Sequence, residues 1–434
     1  MPLRELIPPK LAGKGGFPST NEILQAAVLK KQLQSEKGNR WMGKNFKFPL
    51  FVVAMLMLSL FLSACNAKTE GESSSKGDAK GGDSDVIKIG VMAPTTGASA
   101  AEGKDMVNGA ELAEKHINDA GGIDGKKLKL VIQDDACDPQ QAVTAANKLI
   151  QEKVSIVVGT YCSSAALPAS GTFNKAGMPA ILVGANSPQL PQQGYNNLFL
   201  INSMVFDQGK EVAEYFKKKD IKKIALVHDN SDYARDLADI TKELHEKNGG
   251  KVVAFEAINP EEKDFGALAT KLKTLNPDAT YFTGFYNSGG LLVKQFKQKG
   301  VSGLFVAGDG NPAEPFMDIA GKENAEGVIF SQTVTLQYVD TPEAKAFLEE
   351  YKSTYKSNPL TFGHLQYDGI RLAADVIKRA KSATDHKAII QAIKDTKDFP
   401  AFGETYSFKE DGTKDNGKYI LIKIKDGSIV LEDK

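Results

Sequence analysis

Five short apolar, β-branched runs in this chain are each followed at once by side chains able to grip a small charged molecule. After VSIVVG comes Thr160-Tyr161-Cys162-Ser163-Ser164, and the serine pair opens a helical stretch. Hydroxyls and amides at a helix start can hold a carboxylate, and the same pair would serve equally as a plain N-cap. After PAILVG, which ends on Gly184, comes Ala185-Asn186-Ser187-Pro188, again polar and ahead of a candidate helix. After GLFVAG comes Asp309-Gly310-Asn311, where the carboxylate is suited to an ammonium group. Asp229, Asn230 and Tyr233 follow KIALVH, while Phe285 and Tyr286 follow ATYFTG. Those aromatics either fill a core or cover an apolar part of a ligand.

Catalytic and metal chemistry find little support. With five His and three Cys, the chain shows no CxxC or HExxH spacing. No GxSxG elbow is present. The stretch Gly97-Ala98-Ser99-Ala100-Ala101-Glu102-Gly103-Lys104 looks like a P-loop, but it is one residue too long and lacks the following Ser or Thr. His228 and His364 lie far apart and read as structural. The expectation is a protein that is not an enzyme and carries no metal or cofactor. Formal net charge is zero, so nothing overall recommends nucleic acid as a partner.

The elements that would position these residues alternate in type. Strands are expected at 86–92, 127–133, 154–159, 179–184, 222–229, 251–257, 279–285, 303–308 and 327–332, with helical patterns between them such as 106–119, 139–152 and 264–275. Such alternation with unbroken apolar strands predicts α/β architecture with parallel sheets covered on both faces. A break near 200–207 divides the series into two doubly wound lobes. Helices at 342–356, 363–380 and 385–396 then lead to β-rich segments at 404–408 and 418–424. Ligands bind beyond the carboxyl ends of strands in open parallel sheets, so two facing sheets would form a cleft there.

The N-terminal region fixes the compartment. FPLFVVAMLMLSLFL at 48–62 is short for a spanning helix and, with Lys44 and Lys47 before it, suits the apolar core of a secretory signal. Leu62-Ser63-Ala64-Cys65 then resembles a bacterial lipobox, which implies cleavage before Cys65 and a diacylglycerol on its thiol. Translation from Met42 rather than Met1 would give a typical signal, and residues 1–64 read as an extension plus signal peptide. Residues 65–85, rich in Ser, Gly, Lys, Glu and Asp from 68 onward, read as a flexible tether. In an exported chain, Cys137 and Cys162 are more simply a disulfide than a redox or metal pair.

Asp134-Asp135-Ala136-Cys137-Asp138-Pro139-Gln140-Gln141-Ala142-Val143 resembles the corresponding stretch of the leucine/isoleucine/valine-binding proteins. So do Gly121-Gly122-Ile123, Cys162-Ser163-Ser164, Gly194-Tyr195, Val227-His228-Asp229 with Tyr233, and Glu262-Lys263-Asp264-Phe265, in order from about residue 86 to the C-terminus. The resemblance implies a type I periplasmic-binding fold: two α/β lobes joined by a three-segment hinge. Lobe one would hold 86–204 and 332–411, and lobe two 205–331 and 412–434. It implies a monomeric lipoprotein outside the cytoplasm that captures an amino-acid-like ligand for an ABC permease. The alternative is a sensing module that signals to a separate receptor.

Carried over by residue, Ser163 would bind the ligand α-carboxylate, with Tyr161 and Cys162 beside it, and Asn186 falls where the family usually has a ligand-contacting Thr. The Gly184 carbonyl and Asp309 would take the ammonium, Tyr233 matches an aromatic on the second lobe, and Cys137 and Cys162 match the family's disulfide pair. Two positions depart from branched-chain binders: Phe285 replaces a frequent Tyr, and Glu102 stands where an aromatic often meets the ligand side chain. A carboxylate beside an aliphatic group is unfavourable. Either the ligand is polar, amide-bearing or cationic, or Glu102 faces solvent at the cleft rim.

Overall fold

The computed structural model describes residues 86–333 and 335–432. The expected signal peptide, Cys65 and the tether lie outside the described residues.

The first sheet is five-stranded and wholly parallel, in the order β2-β1-β3-β4-β5. Its strands are β1 (Val86–Ala93), β2 (Lys127–Asp134), β3 (Val157–Gly159), β4 (Ala180–Leu182) and β5 (Leu198–Leu200). The second sheet repeats that order. In β6 (Lys223–His228), β7 (Lys251–Ala257), β8 (Ala279–Phe282), β9 (Leu304–Ala307) and β10 (Ile329–Thr333) the parallel sequence is β7-β6-β8-β9-β10. Two antiparallel strands, β13 (Tyr419–Lys425) and β14 (Ser428–Leu431), extend it beyond β10. A small hairpin pairs β11 (Phe399–Ala401) with β12 (Glu404–Tyr406).

Three expected strands, 154–159, 179–184 and 279–285, are shorter than the apolar runs that announced them. Their ends leave the ladder as buried loops, which is where the polar residues sit. The strand β5 escaped notice because LFL is too brief to show a period.

Helices cover both sheets. On the first lobe, α1 (Ala100–Asp119), α2 (Pro139–Gln151) and α3 (Ser163–Ala176) follow β1, β2 and β3, and α4 (Gln189–Gln192) is a single turn. The second lobe carries α5 (Val205–Lys218), α6 (Asp232–Lys247), α7 (Gly266–Leu275), α8 (Tyr286–Lys299), α9 (Ala313–Ala320) and the short α10 (Lys322–Ala325). The remaining helices are α11 (Pro342–Tyr355), α12 (Gly363–Ala380) and α13 (His386–Lys394). Local chemistry sets the starts: Asp138 accepts from the amides of Gln140 and Gln141 ahead of α2, with Pro139 at its first position. Ser231 and Thr341 cap α6 and α11 in the same way.

The chain crosses between lobes three times. The first lobe's apolar core unites residues 87–201 with 336–408, whereas the cores around the second sheet draw on 205–330 and 421–424. The crossings differ slightly from the expected 332 and 412. Gln332 and Thr333 still pair within β10, and Thr413 bridges to Leu200 of the first sheet. Close packing of α12 on α1 needs a glycine pair: a Cβ on Gly109 would lie 1.9 Å from the Gly363 carbonyl oxygen. Beside it, buried Asp105 accepts from the Tyr351 hydroxyl at 2.6 Å and from the amides of Leu360 and Gly363 at 2.9 and 2.5 Å. That carboxylate fixes the loop carrying Phe362.

Cys137 and Cys162 form a disulfide with Cα atoms 5.3 Å apart. It joins the loop after β2 to the start of α3. Closing a 25-residue loop restricts the unfolded chain, so replacing both cysteines by Ser should cost about 3 kcal/mol in denaturant titrations. Asp135 lies two residues away. One of its oxygens accepts from the Cys137 amide at 2.9 Å, the other has no partner, and burial pushes the carboxyl up to about 7. A raised folded pKa gives stability that is present in acid and lost as pH climbs from about 4 to about 7. Asp135→Asn keeps the acceptor and abolishes the titration. Its melting temperature relative to the wild type should therefore rise between pH 4 and pH 8, by the equivalent of up to about 4 kcal/mol.

Candidate functional site

The polar residues after the strands converge on one pocket. Tyr161, Ser163, Gly184, Asn186 and Phe362 line it from the first lobe, and Tyr233, Phe285, Asp309 and Gly310 from the second. It holds about 220 Å³ of empty space. Every contribution but Phe362 comes from beyond the carboxyl end of a parallel strand, beside the point in each sheet where strand order reverses.

The lobes are closed over it. The Asp232 amide donates to Ser164 Oγ at 3.0 Å, and Ser187 Oγ and Gln189 Nε2 donate to Asp236 at 2.5 and 3.1 Å. On the other flank, Asn287 Nδ2 donates to the Ala98 carbonyl at 2.5 Å, and Thr361 Oγ1 to Gln332 Oε1 at 3.1 Å. These bonds cross the cleft, and the pocket residues are accordingly buried: Ser163 is 1% exposed and Asp309 3%.

Ser163 is not the cap of α3. Cys162 occupies that position, and Ser163 Oγ instead accepts from the amides of Asn186 and Ser187, both at 3.2 Å. With its oxygen engaged by two donors, the hydroxyl keeps its proton to donate. It stands at the start of a 14-residue helix, where first-turn amides also favour an anion. The plain N-cap alternative is thereby excluded.

Asp309 has the opposite character. Tyr419 donates to it at 3.0 Å, and the polar groups of Tyr233, Gln208 and Asn202 favour its charged form. Burial drives its pKa up, and those donors hold it down. Among the described residues, no Lys, Arg or His lines the pocket. Nearby, the Gly184 carbonyl accepts one bond from Asn202 Nδ2 at 2.8 Å and retains a second lone pair. Only glycine suits position 184, because a Cβ there would lie 2.9 Å from Tyr161 Cα.

Other expected residues take altered roles. The Asn186 amide donates to the Tyr419 hydroxyl at 2.9 Å and to the Ser203 carbonyl at 3.1 Å, so its side chain braces the hinge while bordering the pocket. Cys162 does not line the pocket, and its sulfur is committed to the disulfide. Tyr161, Phe285 and Tyr233 form an aromatic wall, with centroid separations of 5.6 and 5.7 Å across Phe285. Phe362 adds an edge-on contact to Tyr161 at 5.1 Å. Glu102 is fully buried, so its placement at a solvated rim is excluded.

Sequence reasoning missed Tyr419, Gln208, Asn202 and Phe362. Phe362 precedes a helix rather than following a strand, and Tyr419 comes from a strand 110 residues beyond Asp309. No local pattern marks either. Among the described residues, no group of His, Cys, Asp and Glu could hold a metal, and no helix is long and apolar enough to cross a membrane.

Comparison with known proteins places the chain in a family. A sequence profile of the periplasmic binding protein family matches residues 86–428. A Leu/Ile/Val-binding protein homolog of Brucella melitensis is 34% identical over 347 residues, covering 79% of this chain and 93% of that one. A leucine-, isoleucine-, valine-, threonine- and alanine-binding protein of Pseudomonas aeruginosa is 35% identical, covering 70% of this chain and 81% of its own. Among solved structures, the branched-chain amino acid transporter substrate-binding protein LivJ of Streptococcus pneumoniae, in complex with isoleucine, superposes with a TM-score of 0.73. It is 34% identical, with 79% of this chain and 97% of that chain covered. This chain belongs to the periplasmic binding protein family, and it is an extracytoplasmic solute-binding protein rather than an enzyme.

Proposed function

We propose that the chain captures a free α-amino acid in the inter-lobe pocket and presents the closed complex to an ABC permease. One observation carries the reading: a hydroxyl left only with a proton to donate, Ser163, and a carboxylate, Asp309, line the same closed pocket. An α-amino acid carries the two complementary charges on one carbon. Its carboxylate would meet Ser163 and the first amides of α3, and its ammonium would meet Asp309 and the Gly184 carbonyl. The relatives named for binding leucine, isoleucine and valine, and the transporter protein that holds isoleucine, support the same class of solute.

Closure supplies the mechanism. Ser163 and Gly184 belong to one lobe and Asp309 to the other, so only the closed form makes all the contacts, and the ligand favours that form by its differential affinity. Anchoring would come from a lipid on Cys65, which keeps the protein beside its permease.

The test is calorimetric titration of the purified protein, unfolded and refolded to strip carried-over ligand. One-to-one binding of an α-amino acid is expected, and it should be lost when the amino or carboxyl group of that ligand is blocked. Asp309→Asn should weaken binding by about 10- to 1,000-fold, and Ser163→Ala by about 10-fold. Unchanged affinity in Asp309→Asn would remove its assigned role. For the anchor, cells supplied with labelled palmitate should label the wild type but not Cys65→Ser.

A further inference from the structure

A second carboxyl group, Glu102, lies behind the pocket lining without forming part of it, and capture of an α-amino group alone does not account for it. Glu102 sits in the first turn of α1 and is 0% exposed, and neither of its oxygens has a hydrogen-bond partner. Of the groups that sense its charge, Tyr286 and Asp105 lie outside the pocket lining and the others belong to it. The Phe362 backbone, Tyr161 and Asp309 all interact with it, and all three line the cavity. Tyr161, the ring on that side, likewise has a buried hydroxyl without a partner. Asp105 adds negative charge and is already satisfied by Tyr351, Leu360 and Gly363. Among the described residues, no basic side chain lines the pocket.

Charge counting then identifies what is missing. A neutral α-amino acid brings one cation for Asp309 and one anion for Ser163, and leaves Glu102 buried and unmatched. A buried carboxylate without a partner is among the costlier arrangements in a protein, whereas a charge-assisted bond to a cation, walled by aromatic rings, is favourable. We infer that the pocket is selective for an α-amino acid with a basic side chain, whose distal cation pairs with Glu102 while its α-ammonium pairs with Asp309. The inference rests on the α-amino-acid reading and departs from the aliphatic solutes for which the relatives are named. Phe285, Phe362 and Tyr161 would flank the methylene stem, and the Tyr161 hydroxyl is placed to accept from the distal nitrogen.

The experiment titrates the stripped wild type and Glu102→Gln with lysine, ornithine, arginine, glutamine, leucine and isoleucine. At least one basic amino acid should bind the wild type 10- to 100-fold more tightly than isoleucine does, and Glu102→Gln should erase most of that margin. Tighter binding of leucine or isoleucine than of every basic ligand would overturn the inference and leave the amino-acid reading intact. Binding of glutamine above all others would also overturn it, in favour of a neutral amide. Silence across the set would remove the amino-acid reading and this one with it. The wild-type ranking alone decides the matter should Glu102→Gln fail to fold.

Discussion

Negative charge enclosed between two lobes without a cation to match it is the constraint on which the rest of the structure depends. Asp309 is surrounded by hydroxyl and amide donors, which lower the cost of burying it but do not neutralise it. Glu102 has only the Phe362 backbone amide to favour its charge, and desolvation, then Asp105 and Asp309, raise its pKa well above the usual carboxylate range. Closing the lobes over both carboxyl groups costs desolvation and raises both pKa values, a cost that a cationic ligand would offset. That makes closure report occupancy. Asp232, Asp236, Asn287 and Thr361 make the cross-cleft bonds, and a bound ligand would add its own contacts to both lobes.

The fold exists to bring these groups together. One strand order is used twice, so each lobe offers its loops at the carboxyl ends of a parallel sheet, and the two sets face each other. The lobes are tied at the crossings through Tyr419, which donates to Asp309 and to the Ser203 carbonyl and accepts from Asn186. A single hydroxyl thus links Asp309, the first-lobe loop and a hinge segment. Any hinge rotation must alter that set of bonds, which couples the site to the motion. On the first lobe the disulfide and the Asp105 network play the static part, holding the start of α3 and the Phe362 loop in place.

Much of this was legible in the sequence, for a definite reason. Parallel strands buried on both faces leave continuous apolar runs, and the residues that follow them must emerge at one edge, so Ser163, Asn186, Tyr233, Phe285 and Asp309 could be named without coordinates, while Gly184 came from the family resemblance. The roles were less legible than the positions. Whether Ser163 capped its helix or offered a hydroxyl depended on the amides of Asn186 and Ser187, more than 20 residues away. Tyr419 and Gln208 were invisible because their partners come from other segments of the second lobe, and Phe362 because it reaches the cleft ahead of a helix. Glu102 stood out as a charge where an apolar group was expected. Only its complete burial separates a ligand partner from a solvated rim residue.

The central claim is that a dipolar α-amino acid sits between the lobes, with its carboxylate on Ser163 and its ammonium on Asp309. A crystal structure of the stripped protein soaked or co-crystallised with its tightest amino-acid ligand tests it directly. The account predicts one ligand in the closed cleft, with a carboxylate oxygen within about 3 Å of Ser163 Oγ and the α-nitrogen within about 3 Å of Asp309. A ligand bound in the reverse orientation, or outside the pocket formed by these residues, would contradict it.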